Sequence, residues 1–322
     1  MGIPFCPSIC LYCSFSSSPL SVWEKQVDAY LDALCKEITY AAGAFPEKEL
    51  NTVYIGGGTP TTLNPDQLER LLTKLESSFD FSKVREFTVE AGRPDSITRE
   101  KLETLKRHKV TRISINPQTM NQKTLDLIGR KHTVEETVQA FTLARELGFD
   151  NINMDLIVGL PGEEKPQVEA TLQQLKALDP DSITVHSLAI KRAARLAMFR
   201  DEYKEMTFTN NCQIMDMTAA YAAGCGQYPY YLYRQKNMAG NFENVGYAKP
   251  GKEGLYNILI MEEVQSILAL GAGASTKLVW SSDRIERVEN VKDIRSYIDR
   301  IDEMIERKRK GIQDGRQAES GI

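Results

Sequence analysis

The chain has 322 residues and a formal net charge of −4, with 42% hydrophobic and 26% charged residues. That length can bury a full-sized core, as one large domain or two, and the balance is ordinary for a globular protein. The slight acidity gives no reason to expect nucleic-acid or membrane partners. No apolar run reaches the roughly eighteen residues of a membrane span, and nothing reads as a signal peptide, so a reducing cytoplasm is expected.

The chain opens on Cys6-Pro-Ser-Ile-Cys10-Leu-Tyr-Cys13, three of its six cysteines. Three thiolates this close suggest an iron–sulfur cluster held by one loop. A four-iron cluster takes one ligand per iron, so this loop leaves one iron open to bind a substrate or cofactor. Structural zinc usually needs four ligands, often as two separated pairs. Here His108, His132, His186 and Cys35 all lie well away in sequence. A disulfide does not suit a reducing compartment. Cys35, Cys212 and Cys225 fall in helix-like sequence and read as small apolar residues.

A helix is expected near Val22–Tyr40. Leu50–Gly56 reads as a buried strand. Asn64-Pro65-Asp66-Gln67 opens a helix with a capping box, followed by Leu68, Leu71, Leu72 and Leu75 at helical spacing. Glu86–Ala91 is the next strand, Thr98–His108 a helix, and Arg112–Asn116 a strand. Val134–Leu147 is a helix closed by Gly148. Asn151–Val158, Lys165–Leu178 and Ser182–Leu188 give strand, helix, strand. Helix-length segments between strands argue for a parallel sheet of βα units. From Lys191 to Arg195 a polar helical stretch begins that reaches Ala223. An aromatic cluster at Tyr228, Tyr230, Tyr231 and Tyr233 follows, then a Gly/Asn-rich segment over 237–246 and the run Glu262–Thr276. The tail from Lys308 is charged and is expected to be disordered. The divisions are thus residues 1–190, 191–307 and 308–322.

Active sites of parallel βα barrels lie at the C-terminal strand ends, where the unusual residues of this chain fall. Gly56-Gly57-Gly58-Thr59 either lets a ligand approach the backbone closely or only makes a tight turn before Pro60. Glu90 needs a partner if it is buried, and is otherwise a surface residue. Gln118 follows a strand, Arg130 lies in Gly129-Arg130-Lys131-His132, and Asp155 sits inside an apolar strand. Gly159-Leu160-Pro161-Gly162 reads as a turn.

The CxxxCxxC loop, in the setting Gly2-Ile3-Pro4-Phe5-Cys6 and Cys13-Ser14-Phe15, together with Gly56–Thr61 and Gly159–Gly162, resembles the radical S-adenosylmethionine (SAM) enzymes. Within them it is similar to the oxygen-independent coproporphyrinogen III dehydrogenases and their heme-chaperone relatives, over nearly the whole chain. The resemblance implies an α/β fold, a partial (β/α)6 TIM-like barrel, with a smaller α+β C-terminal region covering the substrate. It implies that the chain opens at the end of the family's first strand, so that this strand is largely missing and Met1 need not be the native start. The missing segment would include a tyrosine that helps hold SAM.

It also implies a [4Fe-4S] cluster on Cys6, Cys10 and Cys13, and SAM as second cofactor. Gly57, Gly58 and Thr59 would contact the methionine part of SAM. Glu90, Gln118, Arg130 and Asp155 match SAM-contacting positions, as do Ala189 and Ser275. Tyr12 matches an aromatic packed on the cofactor, core packing being its other reading. The implied reaction is oxidative decarboxylation of coproporphyrinogen III to protoporphyrinogen IX through a 5′-deoxyadenosyl radical. The implied partners are the porphyrinogen substrate and an electron donor such as flavodoxin or ferredoxin, with neither nucleic acid nor membrane. Three alternatives stand: a heme chaperone, a heme-modifying radical methyltransferase, and a metal-bound structural module. Phe15 stands where dehydrogenases often add a cysteine, which is chaperone-like. Tyr256 replaces the heme-ligating histidine of the chaperone motif, which argues the other way.

Overall fold

The computed structural model describes residues 1–13, 18–45, 49–190, 194–198, 208–234, 238–281 and 283–320. Its parallel strands are β1 (Gly2–Ile3), β2 (Thr52–Gly57), β3 (Glu86–Gly92), β4 (Arg112–Ile115), β5 (Ile152–Val158) and β6 (Ser182–Ser187). Between them run α1 (Val27–Ala44), α2 (Pro65–Ser78), α3 (Arg99–Arg107), α4 (Gln122–Leu127), α5 (Val134–Glu146) and α6 (Lys165–Leu178). The start of α2 uses the expected chemistry. Asn64 and Gln67 close a capping box at α2, with Gln67 N donating to Asn64 Oδ1 at 2.8 Å and Asn64 N to Gln67 Oε1 at 3.1 Å. Thr133 and Glu136 do the same at α5. Leu68, Leu71, Leu72 and Leu75 are at most 2% exposed, each burial contributing roughly 1.5–3 kcal/mol.

Period-two alternation gives the parallel strands two different faces. Phe87, Val89, Ile113, Ile115, Met154, Leu156, Ile183 and Val185 belong to the main apolar core. The alternate residues Thr88, Glu90, Arg112, Ser114, Asn153, Asp155, Thr184 and His186 line an interior cavity. They satisfy one another: Asn153 Nδ2 donates to Asp155 Oδ1 at 2.7 Å, and Ser114 Oγ to Asn116 Oδ1 at 2.6 Å. A strand buried on both faces is usually apolar throughout. Here one face is polar because it surrounds a cavity.

The sheet continues past residue 190. After α7 (Cys212–Gly224) come β7 (Tyr228–Tyr233) and β8 (Asn244–Ala248), giving the order β1-β2-β3-β4-β5-β6-β8-β7, the last two joined antiparallel. The aromatic cluster and part of the Gly/Asn-rich segment are therefore strands. Pro229 is tolerated because β7 is the sheet edge. Of the polar stretch expected over 191–223, residues 191–193 and 199–207 lie outside the described residues, as does Phe15. Helix α8 (Leu255–Glu262) starts on β3: Leu255 N and Tyr256 N donate to the Glu86 carboxylate. A hairpin of β9 (Ser275–Ser281) and β10 (Arg284–Glu289) leads to α9 (Ile294–Asp299) and α10 (Ile301–Ser320).

The disordered tail expected from Lys308 is corrected by α10, which is helical through Ser320. Met304, Lys308 and Ile312 are buried, at four-residue spacing on one face. Charge on the other positions conceals that stripe. Lys308 Nζ meets Glu37 Oε1 at 2.6 Å, and neither side chain is exposed. Glu37 also accepts from Tyr297 Oη at 2.6 Å, Asn290 Nδ2 at 2.8 Å and Gly271 N at 2.8 Å. The Gly271 loop is in turn fixed to the first strand. Gly2 N donates to Leu270 O at 2.8 Å, and Tyr30 Oη donates to Gly2 O at 2.6 Å. The short β1 thus has β2 on one side and the C-terminal region on the other. Among the described residues, no helix is long and apolar enough to cross a membrane.

Candidate functional site

The cysteine loop follows β1 and lies against the end of β2. Gly58 N donates to Ile3 O and Thr59 N to Phe5 O, both at 2.7 Å. A Cβ on Gly58 would stand 2.5 Å from Phe5 O and 3.0 Å from Cys6 Sγ, and one on Gly56 would stand 2.8 Å from the Glu90 carboxyl carbon. The glycines are therefore required by the close approach of the loop and of Glu90 to the backbone. Leu11 N donates to Ile128 O at 2.8 Å, fixing the loop's far side to the turn before Arg130.

Cys6, Cys10, Tyr12, Cys13, Gly57, Gly58, Thr59, Glu90, Gln118, Arg130, Asp155 and Ala189 line one cavity of about 470 Å³. Ser275 does not join them. It is exposed at the start of β9, on a neighbouring cavity of about 610 Å³. Tyr54 and Tyr256 line both cavities. Their rings stack with centroids 4.3 Å apart.

Several of these groups are held in costly states. Gln118 adopts a left-handed backbone (φ 67°), and its Oε1 is buried without a partner. Arg130 donates to Asn116 O, but its Nε is buried and unpaired. Such orphaned atoms in a polar cavity suit a bound ligand. Burial pushes Glu90 up to about 7, although Tyr54 Oη donates to it. Burial works the same way on Asp155, but His186, Asn153 and Thr184 outweigh it and hold that carboxyl below its usual range. His186 Nε2 lies 3.7 Å from Asp155 Oδ2. Burial also pushes the Cys6 thiol up to about 11, so ligation there has to be driven by a metal that displaces the proton.

Sequence reasoning missed Tyr54, Arg93, His186, Tyr231 and Tyr233 as cavity residues. The readable signal was polar alternation: Thr184 and His186 in SITVHS, Tyr54 in the strand before the glycines.

Among the described residues, no three His, Cys, Asp or Glu side chains converge as a single metal ion needs. A four-iron cluster does not require that, since each thiolate binds a different iron. Three cysteines facing one cavity, beside the orphaned Gln118 and Arg130 atoms, fit a cluster and a small polar cofactor.

The chain belongs to the radical SAM superfamily, whose model matches residues 2–175. Its cofactors are accordingly a [4Fe-4S] cluster and SAM. It is 43% identical over 317 residues to the oxygen-independent coproporphyrinogen-III oxidase-like protein HemZ of Bacillus subtilis (strain 168), covering 97% of this chain. It spans 63% of that relative's length, less than two thirds. It is 32% identical over 314 residues to the heme chaperone HemW of the same organism, covering 94% of this chain and 75% of that one. The fold matches coproporphyrinogen III oxidase HemN of Escherichia coli with a TM-score of 0.75 at 24% identity, over 94% of this chain and 68% of that one. The architecture is thus the α/β partial barrel of that structure.

Proposed function

We propose that this chain carries the catalytic barrel of a cytoplasmic oxidoreductase that decarboxylates propionate side chains of coproporphyrinogen III, yielding protoporphyrinogen IX. The observation that supports it is the single cavity shared by the cysteine loop, Gln118, Arg130 and the polar barrel interior. Cluster, SAM and substrate carbon would occupy one shared space. The bound cofactors would supply one-electron chemistry that ends in removal of a hydrogen atom from a propionate side chain, after which loss of CO₂ and of one electron to an external acceptor leaves the vinyl group. The chain's own residues position and shield. Cys6, Cys10 and Cys13 hold the iron, Arg130 offers a guanidinium to a carboxylate, and Gln118 offers its unpaired amide oxygen to an ammonium or hydroxyl. Glu90 and Asp155 offer acceptors, held in place by Tyr54 and Asn153. The barrel interior around them would limit water at the reactive step.

The test is anaerobic reconstitution, followed by coproporphyrinogen III, SAM and reduced flavodoxin or ferredoxin. Vinyl-bearing product with CO₂ release is expected. SAM cleavage that leaves the porphyrinogen unchanged would refute the substrate.

The likeness to HemW favours one second reading, a heme chaperone. Against it, the position of the chaperone motif's histidine is Tyr256, whose ring is stacked on Tyr54. Stoichiometric heme binding without porphyrinogen turnover would select the chaperone.

A further inference from the structure

Arg93 follows β3 directly and is only 3% exposed. Its guanidinium uses two sides. Nε and Nη2 grip Asp95 as a fork, at 2.9 Å to Oδ1 and 2.6 Å to Oδ2. Nη1 points the other way, into the cysteine loop. It donates to Ser8 Oγ at 2.6 Å, to Ser8 O at 3.3 Å and to Cys10 Sγ at 3.9 Å. Ser8 Oγ passes the chain on to Gly129 O at 3.1 Å. One buried side chain therefore joins the end of a rigid strand to a cluster-ligand sulfur. Asp95 orients the guanidinium in the way that an outer carboxylate orients a metal ligand.

We propose that Arg93 is a positioning residue that sets the reduction potential of the cluster, through a charge-assisted hydrogen bond to the Cys10 sulfur. Reduction by one electron makes the cluster and its thiolates more negative. A donor aimed at a ligand sulfur stabilises the reduced state more than the oxidised one, and so raises the potential. Asp95 offsets part of the guanidinium charge, but it leaves the directed Nη1–H donor on the loop side. A lysine cannot do the same, because a single ammonium lacks the planar fork that grips Asp95 while presenting a third nitrogen.

The experiment uses the whole chain, reconstituted anaerobically as wild type, Arg93→Met and Arg93→Lys. Iron and sulfide content are measured first. The cluster is then titrated with dithionite, and its one-electron reduction is followed by electron paramagnetic resonance. The Met variant is expected to load a full cluster whose reduction is about tenfold less favourable, about 59 mV more negative for one electron. The Lys variant should fall between it and wild type. A purely structural role would change loading and leave the potential of loaded clusters alone. Wild-type potential in a fully loaded Met variant overturns the proposal. If Met fails to load, Lys decides it: a loaded Lys variant at the wild-type potential overturns the proposal, and a lowered one supports it. Failure of both variants to load iron also overturns it, since Arg93 would then serve only to fold the loop.

Discussion

Replacing Glu90 with glutamine should stabilise the cofactor-free protein at pH 8 and leave it nearly unchanged at pH 4. Glu90 lies on the cavity face of β3, where burial lifts its carboxyl from 4.5 to about 7. Between those values the native state keeps a proton that the unfolded chain releases, so stability falls as pH rises through that window. The gap of about 2.5 pH units, at 1.36 kcal/mol each, makes the full penalty about 3 kcal/mol, complete above pH 7. Glutamine has the same shape, can still accept from Tyr54 Oη, and carries no charge to desolvate. The assay is urea unfolding of both proteins, without metal or SAM, from pH 4 to pH 8. The stability difference should open between pH 4.5 and 7 and plateau at up to about 3 kcal/mol in favour of the variant. A difference independent of pH, or one that grows towards acid, would show that the Glu90 environment does not disfavour its charge.

Three other changes have expected outcomes of their own. Lys308→Met strands the fully buried Glu37 carboxylate and should cost about 3–5 kcal/mol, read from the same urea melts; Lys308→Arg should recover part of it. Gly58→Ala places a methyl against Phe5 O and Cys6 Sγ. It should block cluster assembly, seen as lost visible absorbance after reconstitution, while far-UV circular dichroism stays native. Asp155→Asn should weaken SAM binding by about 1–3 kcal/mol in calorimetry of the loaded protein, with iron content unchanged; unaltered SAM affinity would remove Asp155 from the cofactor site.

Local chemistry made much of this protein readable from its residues alone. The capping residues Asn64 and Gln67 start their helix where local rules put it, and the βα rhythm from Thr52 to Ser187 follows from short apolar runs and amphipathic segments. The cysteine spacing pointed to a cluster loop because three cysteines stand close together in sequence. The other candidates fell at strand ends, and a parallel array gathers strand ends at one rim of the barrel. Only the tertiary structure could decide what depends on distant partners. Arg93 reads as a turn residue until Ser8 and Cys10 are brought to it. Lys308 reads as a solvated charge until Glu37, 271 residues away, turns it into the centre of a buried polar cluster. Pro229 and Gly246 hide two strands that exist because β6 offers β8 an edge and β8 in turn offers one to β7. Ser275 matches a SAM-contacting position by resemblance, yet the β9–β10 hairpin carries it to a different cavity. Periodicity and capping act within a few residues and are written locally, whereas burial, pairing and charge compensation are set by whatever the fold places opposite.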